Sequence, residues 1–319
     1  MTGATGFVGQ HLVNALLRKK KQVRACVRGR RYKSYSESPL VELSLVEDLS
    51  QVASWEKALR DVTVVIHTAA RVHIMEDKEA DPLAEFRKVN TEGTLNLARQ
   101  AAEQGVSRFI FISSIKVNGE MTSIGQPFRT TDNTIPTDPY GLSKYEAEQG
   151  LLRIASETDM EVVIIRPPLI YGPGVKANFA SMMKWVSKGV PLPLGAVYNN
   201  RSLVALENLI DFIIHCIAHP KAANEVFLVS DEEDISTTQL LKKVAKALGK
   251  KANLLPIPVS LMSFAATLIG KKSVAERLFG SLQVDSAKAR DLLDWKPVVK
   301  MDEQLRKTAE VYIKNEKNL

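Results

Sequence analysis

The feature that most constrains the fold is a glycine-rich octapeptide near the start of the chain, Thr2-Gly3-Ala4-Thr5-Gly6-Phe7-Val8-Gly9, which leads directly into an amphipathic helical segment. Gly3 and Gly6 let a phosphate approach the backbone, and Gly9 allows close packing. The N-terminus of the following helix adds a positive dipole potential. Spaced glycines alone are weak evidence, but all eight residues in front of a helix predict a turn that binds a dinucleotide through its pyrophosphate.

Short β-branched runs alternate with amphipathic helical segments through the first half of the chain. Strands are predicted at Gln22–Val27, Val41–Val46, Val62–His67, Arg108–Ile112 and Glu161–Ile165, and helices at Phe7–Arg18, Gln51–Leu59, Asp81–Gln104 and Tyr140–Ser156. Such alternation is typical of a parallel sheet covered by helices on both faces. We therefore predict an α/β fold with a doubly wound parallel sheet, the Rossmann architecture.

The pattern changes after Arg166, where prolines punctuate short elements and helices then dominate to the end of the chain. We predict a dinucleotide-binding domain over residues 1–166, joined by about 202–230. The remaining segments, 167–201 and 231–319, are predicted to form a smaller C-terminal lobe that binds the substrate.

A strand of several apolar residues normally precedes a dinucleotide-binding turn and lies at the centre of the sheet. Here the turn begins at Thr2, so the first strand is essentially absent. We expect that this strand is truncated, that several residues belong before Met1, and that the two neighbouring strands lose a pairing partner.

Composition argues against several classes of protein. The 45% hydrophobic content over 319 residues supports a full core, and no apolar segment reaches the roughly 20 residues that span a bilayer. The formal charge of +7 is dispersed and accompanies no nucleic-acid-binding module, so we predict no nucleic-acid partner. Cys26 and Cys216 lack metal-ligand or paired spacing, which predicts core thiols and no metal site in a cytoplasmic protein.

The residues after the second predicted strand bear on the choice of cofactor. An enzyme that prefers NAD usually has an acidic residue here for the adenosine ribose, whereas this chain has Val27-Arg28-Gly29-Arg30-Arg31. Arginines at this place can grip a ribose 2′-phosphate. We therefore predict an NAD(P) enzyme that prefers NADP(H), with Arg28 at the cofactor. An ordinary solvated loop is the alternative.

Two hydroxyl groups and one ammonium form a candidate catalytic group. Tyr140 and Lys144 are four residues apart and share a helix face. A free tyrosine has a pKa near ~10, and a neighbouring ammonium favours the phenolate that could take a proton from an alcohol. Ser114 follows a buried strand at the sheet edge where ligands bind. We predict that Ser114, Tyr140 and Lys144, the catalytic trio, exchange a proton with the substrate.

These residues resemble the extended short-chain dehydrogenase/reductase family and its nucleotide-sugar epimerase/dehydratase branch. The resemblance covers nearly the whole chain and includes the glycine octapeptide, Asp48-Leu49, His67-Thr68-Ala69-Ala70, Val89-Asn90-Thr91-Glu92-Gly93-Thr94, Ser113-Ser114, Tyr140 to Lys144, and Arg166 to Gly174. It implies an enzyme that transfers a hydride at the sugar ring of a nucleotide-activated hexose. It also implies a homodimer formed through the fourth and fifth long helices.

The resemblance further implies roles for individual residues. It places the cofactor against Asp48, Leu49, Ala69, Ala70 and Pro167, and it assigns Lys144 to the nicotinamide ribose as well. It places the substrate against Ser114, Asn118, Asn178, Arg201 and Arg277, the last three at the diphosphate. Asn90 is expected to support the central strands, and His67 is expected to be a packing residue.

The substrate class rests on the segment after the catalytic strand and on the C-terminal lobe. The branch often has Ser-x-x-Val-Tyr-Gly where this chain has Ser114-Ile115-Lys116-Val117-Asn118-Gly119, which alters the pocket wall near the sugar. Segments 280–288 and 294–297 resemble a bacterial surface-polysaccharide subgroup. Its members are UDP-hexose 4-epimerases or reductases of 4-keto-6-deoxy-N-acetylhexosamine nucleotides.

We therefore expect chemistry at sugar C4. The arginines after the second strand favour 4-keto reduction of the UDP-N-acetylquinovosamine type over a UDP-glucose or UDP-N-acetylglucosamine 4-epimerase. A 4,6-dehydratase is disfavoured because Ile115 and Lys116 stand where such enzymes usually carry an acidic pair. A non-catalytic dinucleotide sensor is disfavoured because the catalytic trio is retained.

Overall fold

A computed structural model describes residues 1–29, 38–72, 81–132, 134–270 and 272–317. The strands are β1 (Val23–Val27), β2 (Val41–Leu45), β3 (Val64–His67), β4 (Arg108–Ile112), β5 (Glu161–Arg166), β6 (Leu169–Tyr171), β7 (Leu203–Ala205) and β8 (Glu225–Leu228). The helices are α1 (Phe7–Arg18), α2 (Glu56–Leu59), α3 (Pro82–Phe86), α4 (Gly93–Glu103), α5 (Pro139–Glu157), α6 (Ala177–Ser187), α7 (Leu206–Ala218), α8 (Thr237–Ala247), α9 (Val259–Leu268), α10 (Lys272–Phe279), α11 (Ala287–Leu293) and α12 (Met301–Lys317).

The central sheet is parallel throughout. Strand β1 pairs with β2, and β3, β4, β5 and β8 form a second ladder in that order. Met1 and Thr2 lie between the two ladders, because the Cys26 amide donates to the Met1 carbonyl (2.8 Å) and the Thr2 amide donates to the Ile66 carbonyl (3.1 Å). Two residues thus stand where the central strand was expected, and the predicted doubly wound parallel sheet is confirmed.

Strand β4 shows why this segment lies at the centre of the sheet. All five of its residues are buried, and successive side chains point to opposite faces. Ile110 packs into the core cluster on the side of α1 and α7, whereas Phe109 and Phe111 pack into the cluster on the side of α4 and α5. A strand buried on both faces needs a continuous apolar run, which is what the sequence supplies here.

The long helix predicted over Asp81–Gln104 is wrong as a single element. The structure divides it into α3, a π-helical turn over Arg87–Glu92, and α4. At the start of α4, a Cβ on Gly93 would overlap the carbonyl oxygen of Leu49. The π-helical turn carries the buried side chain of Asn90, which accepts from the Arg71 amide (2.8 Å) and donates to the Arg71 carbonyl (3.0 Å). A local change of pitch therefore aims Asn90 inward.

The second half of the chain adds a smaller lobe beside the sheet. Strands β6 and β7 pair with each other, and helices α6, α8 and α12 pack with them around a separate apolar cluster that includes Phe179, Leu241 and Leu305. Strand β8 returns to the main sheet beside β5. The domain boundaries given above remain a prediction. Among the described helices, none is long and apolar enough to cross a membrane.

Candidate active site

The glycine turn packs tightly against the segment that follows β3. Gly3 has a φ of +67°, and a Cβ on it would overlap the Thr68 hydroxyl and lie 2.7 Å from the Ala69 amide nitrogen. A Cβ on Gly9 would overlap the carbonyl oxygen of Gly3. No side chain caps the start of α1 at Gly6, so its first-turn amides have no capping acceptor and are available to an anion. The close packing predicted for Gly9 is confirmed.

The remaining predicted cofactor residues follow strands at the same edge of the sheet. Arg28 and Asp48 are exposed after β1 and β2, and Leu49 is half-buried. Ala69 and Ala70, half-buried, follow β3, and Pro167, buried, follows β5. The carboxyl ends of parallel strands share one edge, so the fold gathers these residues where a dinucleotide would bind. Arg30 and Arg31 lie outside the described residues, and their part in the NADP(H) prediction stays a prediction.

The catalytic trio comes together where α5 begins beside the end of β4. Asp138 caps α5 by accepting from the Gly141 amide (2.8 Å), which fixes the first turn that carries Tyr140. Ser114 lies beside the phenol of Tyr140, and this neighbour acts to lower the pKa of Tyr140. Lys144, one helical turn after Tyr140, is buried and donates from Nζ to the Ile112 carbonyl (2.8 Å).

Burial is the largest influence on the pKa of the two titratable members of the trio, Tyr140 and Lys144. It raises the pKa of Tyr140 to about 12; the neighbouring Ser114 acts against this rise, whereas the charge of Asp138 adds to it. Burial lowers the pKa of Lys144 to about 7, and the carboxylate of Glu148 opposes this decrease. The Lys144 ammonium also lies 4.1 Å from the centre of the Phe111 ring. A phenol beside a hydroxyl, with a buried ammonium one helical turn away, can exchange a proton with a bound alcohol or carbonyl.

A buried polar network below the trio was not found from the sequence. The carboxylate of Glu148 accepts from the Ser113 hydroxyl and from the Arg166 guanidinium (2.5 Å). Arg166 also donates to the amide oxygen of Asn118 (3.0 Å). One signal was available, because Tyr140, Lys144 and Glu148 are spaced by four and share one face of α5.

Asn118 was expected to line the substrate pocket, and the structure buries it instead. Its amide nitrogen donates to the Arg129 carbonyl (2.7 Å), and its amide oxygen accepts from Arg166. Only 3% of the residue is exposed. The predicted contact between Asn118 and the sugar therefore stays a prediction, and the two hydrogen bonds of its buried side chain argue against it.

The two predicted diphosphate arginines lie together in the smaller lobe. The Arg201 guanidinium donates to the carbonyl oxygens of Arg277 (2.7 Å) and Gly280 (3.1 Å), and burial lowers its pKa. Asn178 is exposed on the first turn of α6. The fold thus brings Arg201 and Arg277 into contact, while Asn178 stands on a separate element.

The positions that distinguish a dehydratase carry no acid. Ile115 is buried in a small apolar cluster at the end of β4. The Lys116 ammonium lies 3.1 Å from the Asp138 carboxylate and 3.0 Å from the Glu120 carboxylate. His67 is also a packing residue as predicted, because its ring bonds the hydroxyls of Thr2 and Thr94, and burial lowers its pKa to about 3.

The parallel sheet, the glycine turn and the trio together define a dinucleotide-dependent enzyme of the extended short-chain dehydrogenase type. The sequence profile described as "NAD dependent epimerase/dehydratase family" matches residues 1–230, and the chain belongs to that family. The resemblance drawn from its motifs is confirmed.

Known relatives agree with this assignment. A UDP-glucose 4-epimerase of Vibrio cholerae is 50% identical over 315 residues, which cover 98% of this chain and 94% of that protein. An N-acetyl-α-D-glucosaminyl-diphospho-ditrans,octacis-undecaprenol 4-epimerase of Escherichia coli O157:H7 is 26% identical over 82% of this chain and 75% of that protein. The crystal structure of a UDP-glucuronic acid 4-epimerase from Bacillus cereus in complex with NAD has the same fold, with a TM-score of 0.78 at 21% identity, covering 98% of this chain and 97% of that one.

Proposed function

We propose that this enzyme is a UDP-hexose 4-epimerase that inverts the configuration at C4 of UDP-glucose. The observation that carries the proposal is the 50% identity with the Vibrio cholerae UDP-glucose 4-epimerase over 98% of the chain. The catalytic trio supports it, because proton exchange at a sugar hydroxyl needs a group such as Tyr140 beside a hydroxyl and an ammonium. The residues of the dehydratase position support it too, because neither Ile115 nor Lys116 offers an acid.

The glycine turn fits the NAD that such a reaction requires. Gly3 and Gly9 keep the turn free of side chains where the backbone is most crowded, and the first-turn amides of α1 suit an anionic pyrophosphate. When bound, NAD supplies the acceptor and the donor of the hydride at C4. The preference for NADP(H) stays a prediction. The family profile is described as NAD-dependent, and of Arg28, Arg30 and Arg31 only Arg28 lies within the described residues.

The protein's own part in the reaction is proton transfer and charge control. Tyr140 takes the proton of the C4 hydroxyl while that carbon is oxidised and returns it when the carbon is reduced. Ser114 holds the same oxygen through its hydroxyl, and the positive charge of Lys144 is assigned the role of countering the burial that raises the pKa of Tyr140 to about 12. Epimerisation further requires that the sugar turn in its pocket between the two halves of the reaction, while the diphosphate stays bound at Arg201 and Arg277.

The proposal differs from 4-keto reduction in its use of cofactor. A reductase consumes one NAD(P)H per product, whereas an epimerase gives no net change in cofactor. The expectation of 4-keto reduction rested on Arg28, Arg30 and Arg31. Two of these arginines lie outside the described residues, so no structural observation favours reduction over epimerisation. Dimer formation through α4 and α5 is likewise proposed, and light scattering after size-exclusion chromatography would check it.

The decisive experiment is a product assay by proton NMR. Purified protein is incubated with UDP-glucose and catalytic NAD, and the anomeric signal of UDP-galactose is followed. Tyr140→Phe is expected to abolish turnover while leaving NAD binding intact. A parallel reaction with a UDP-4-keto-6-deoxy-N-acetylhexosamine and NADPH tests the alternative. Stoichiometric NADPH oxidation there, without UDP-galactose in the first reaction, would replace the epimerase proposal by the reductase.

A further inference from the structure

Helix α5 holds the end of β4 through three side chains that follow one another by one turn. Each of them meets a different member of three consecutive residues on the strand side. Lys144 donates to the carbonyl of Ile112, Glu148 accepts from the hydroxyl of Ser113, and Tyr140 lies beside Ser114. Two of these contacts belong to the catalytic trio. The third, at Glu148, has no assigned role.

Glu148 is an anion fixed in the protein interior. It is 0% exposed, and the Arg166 guanidinium donates to its carboxylate from Nε (3.0 Å) and Nη2 (2.5 Å). The Ser113 hydroxyl supplies a further hydrogen bond. A buried carboxylate is costly unless it is paired and hydrogen-bonded, and the Arg166 guanidinium and the Ser113 hydroxyl supply both kinds of partner. These hydrogen bonds fix the position of the Glu148 carboxylate.

Among the groups around Lys144, Glu148 is the one whose negative charge raises the pKa of Lys144. On its own helix, Lys144 faces Tyr140 and Glu148. From β3 it faces His67, which burial keeps neutral above a pKa of about 3. From β4, within the part of the chain that the structure describes, it meets the Ile112 carbonyl and the Phe111 ring, and Arg166 on β5 is paired with Glu148. Glu148 is the carboxylate that opposes the effect of burial on the Lys144 pKa.

We propose that Glu148, held by Arg166 and Ser113, is a positioning residue that keeps Lys144 protonated and fixes the strand end that carries Ser114. Without the anion, Lys144 loses its proton at a lower pH, and the phenolate of Tyr140 loses its stabilising charge. Glu148 is fully buried, and it acts through Lys144 and Ser113. Its consequence for turnover rests on the proposed function, whereas its effect on the titration of Lys144 does not.

The test is a titration of Lys144 by carbon-13 NMR of protein labelled at the lysine ε-carbon. Lys144→Met identifies the signal, which titrates near neutral pH and so stands apart from ordinary lysines. In Glu148→Gln we expect its midpoint to fall by about one pH unit, the size typical of losing an opposite charge nearby. The matched control is Glu146→Gln, the same change two residues earlier on α5, where the carboxylate pairs with Arg87 instead (2.5 Å). The control should leave the midpoint in place.

A second variant guards against loss of the fold, because Glu148→Gln leaves Arg166 buried without its partner. Glu148→Gln with Arg166→Gln replaces the ion pair by two neutral amides and should also lower the midpoint. An unchanged midpoint in the folded single or double variant would overturn the proposal. In turnover of UDP-glucose, the alkaline limb of kcat/KM should move to lower pH in step with the titration. A shifted midpoint in a protein that does not turn over UDP-glucose would sustain the role of Glu148 and refute the proposed function.

Discussion

Lys144 shows how a single buried charge couples catalysis to stability. Burial lowers its pKa to about 7 in the folded protein, whereas in the unfolded chain it returns to the ordinary value of about 10.4. Between these two values the unfolded state binds one more proton than the folded state. The free energy of unfolding should therefore increase as the pH rises through this window, because deprotonation of the folded state relieves the buried charge.

Replacing Lys144 by Met removes this pH dependence. We expect the Tm of Lys144→Met to exceed that of the parent below pH 7 and the difference to shrink steadily toward pH 10. Differential scanning calorimetry across this range measures it. Lys57→Met changes an exposed lysine in α2 and should give a constant difference. Parallel Tm curves for parent and Lys144→Met would contradict the predicted protonation of the buried ammonium.

At the level of elements, α1 can approach the glycine turn only because Gly9 lacks a side chain. A Cβ there would overlap the carbonyl oxygen of Gly3. Alanine has a higher helix propensity than glycine by about 1 kcal/mol, whereas forcing an atom into a packed contact costs about 1–3 kcal/mol. The steric effect therefore outweighs the gain in propensity.

We predict that Gly9→Ala lowers the Tm by several degrees, as expected for a loss of about 1–2 kcal/mol, and also weakens NAD binding, because α1 must shift away from the turn. Thermal unfolding and calorimetric titration with NAD measure the two effects. Gly29→Ala is the control for thermal unfolding, because no atom of the described residues lies within 4 Å of a Cβ built there. Equal effects of the two substitutions would show that the contact with Gly3 is not what limits the position of α1.

Elements with strong local signals could be predicted, and those shaped by distant contacts could not. The bounds of α1 and β4 agree with the structure, since a glycine turn and a doubly buried apolar run are visible in the sequence. Gly93, where the π-helical turn passes into α4, meets Leu49 in the loop after β2, a contact between residues distant in the sequence. Helix α2 begins at Glu56 and not at Gln51, because the preceding residues are held by polar contacts to Asn96 and Gln100.

Whole-molecule packing decides which polar residues share a site. The trio was predictable because Tyr140 and Lys144 share a helix face and Ser114 follows a strand that ends at the ligand edge. The network of Glu148, Arg166 and Asn118 was not, because helix α5, strand β5 and the loop after β4 meet only in the folded sheet. The same packing turned Asn118 from an expected pocket residue into a buried one.

The proposed substrate site spans the two lobes, because the trio lies at the sheet edge and Arg201 lies in the smaller lobe. Arg201 bonds the backbone of Arg277 and Gly280, and its proposed ligand is the diphosphate, remote from C4. A contact made equally in the ground and transition states changes KM and leaves kcat. Lysine keeps the charge but loses the planar fork that binds phosphate at two points.

Arg201→Lys is therefore expected to raise KM for UDP-glucose about tenfold, the effect of one lost charge-assisted hydrogen bond, with kcat within about threefold. The Kd of UDP, measured by calorimetry, should weaken by the same factor, because UDP carries the diphosphate without the sugar. Arg306→Lys, at an exposed ion pair on α12, should change neither. A fall in kcat with an unchanged Kd for UDP would place Arg201 at the reacting sugar, so the ratio of the two effects locates the substrate across the lobes.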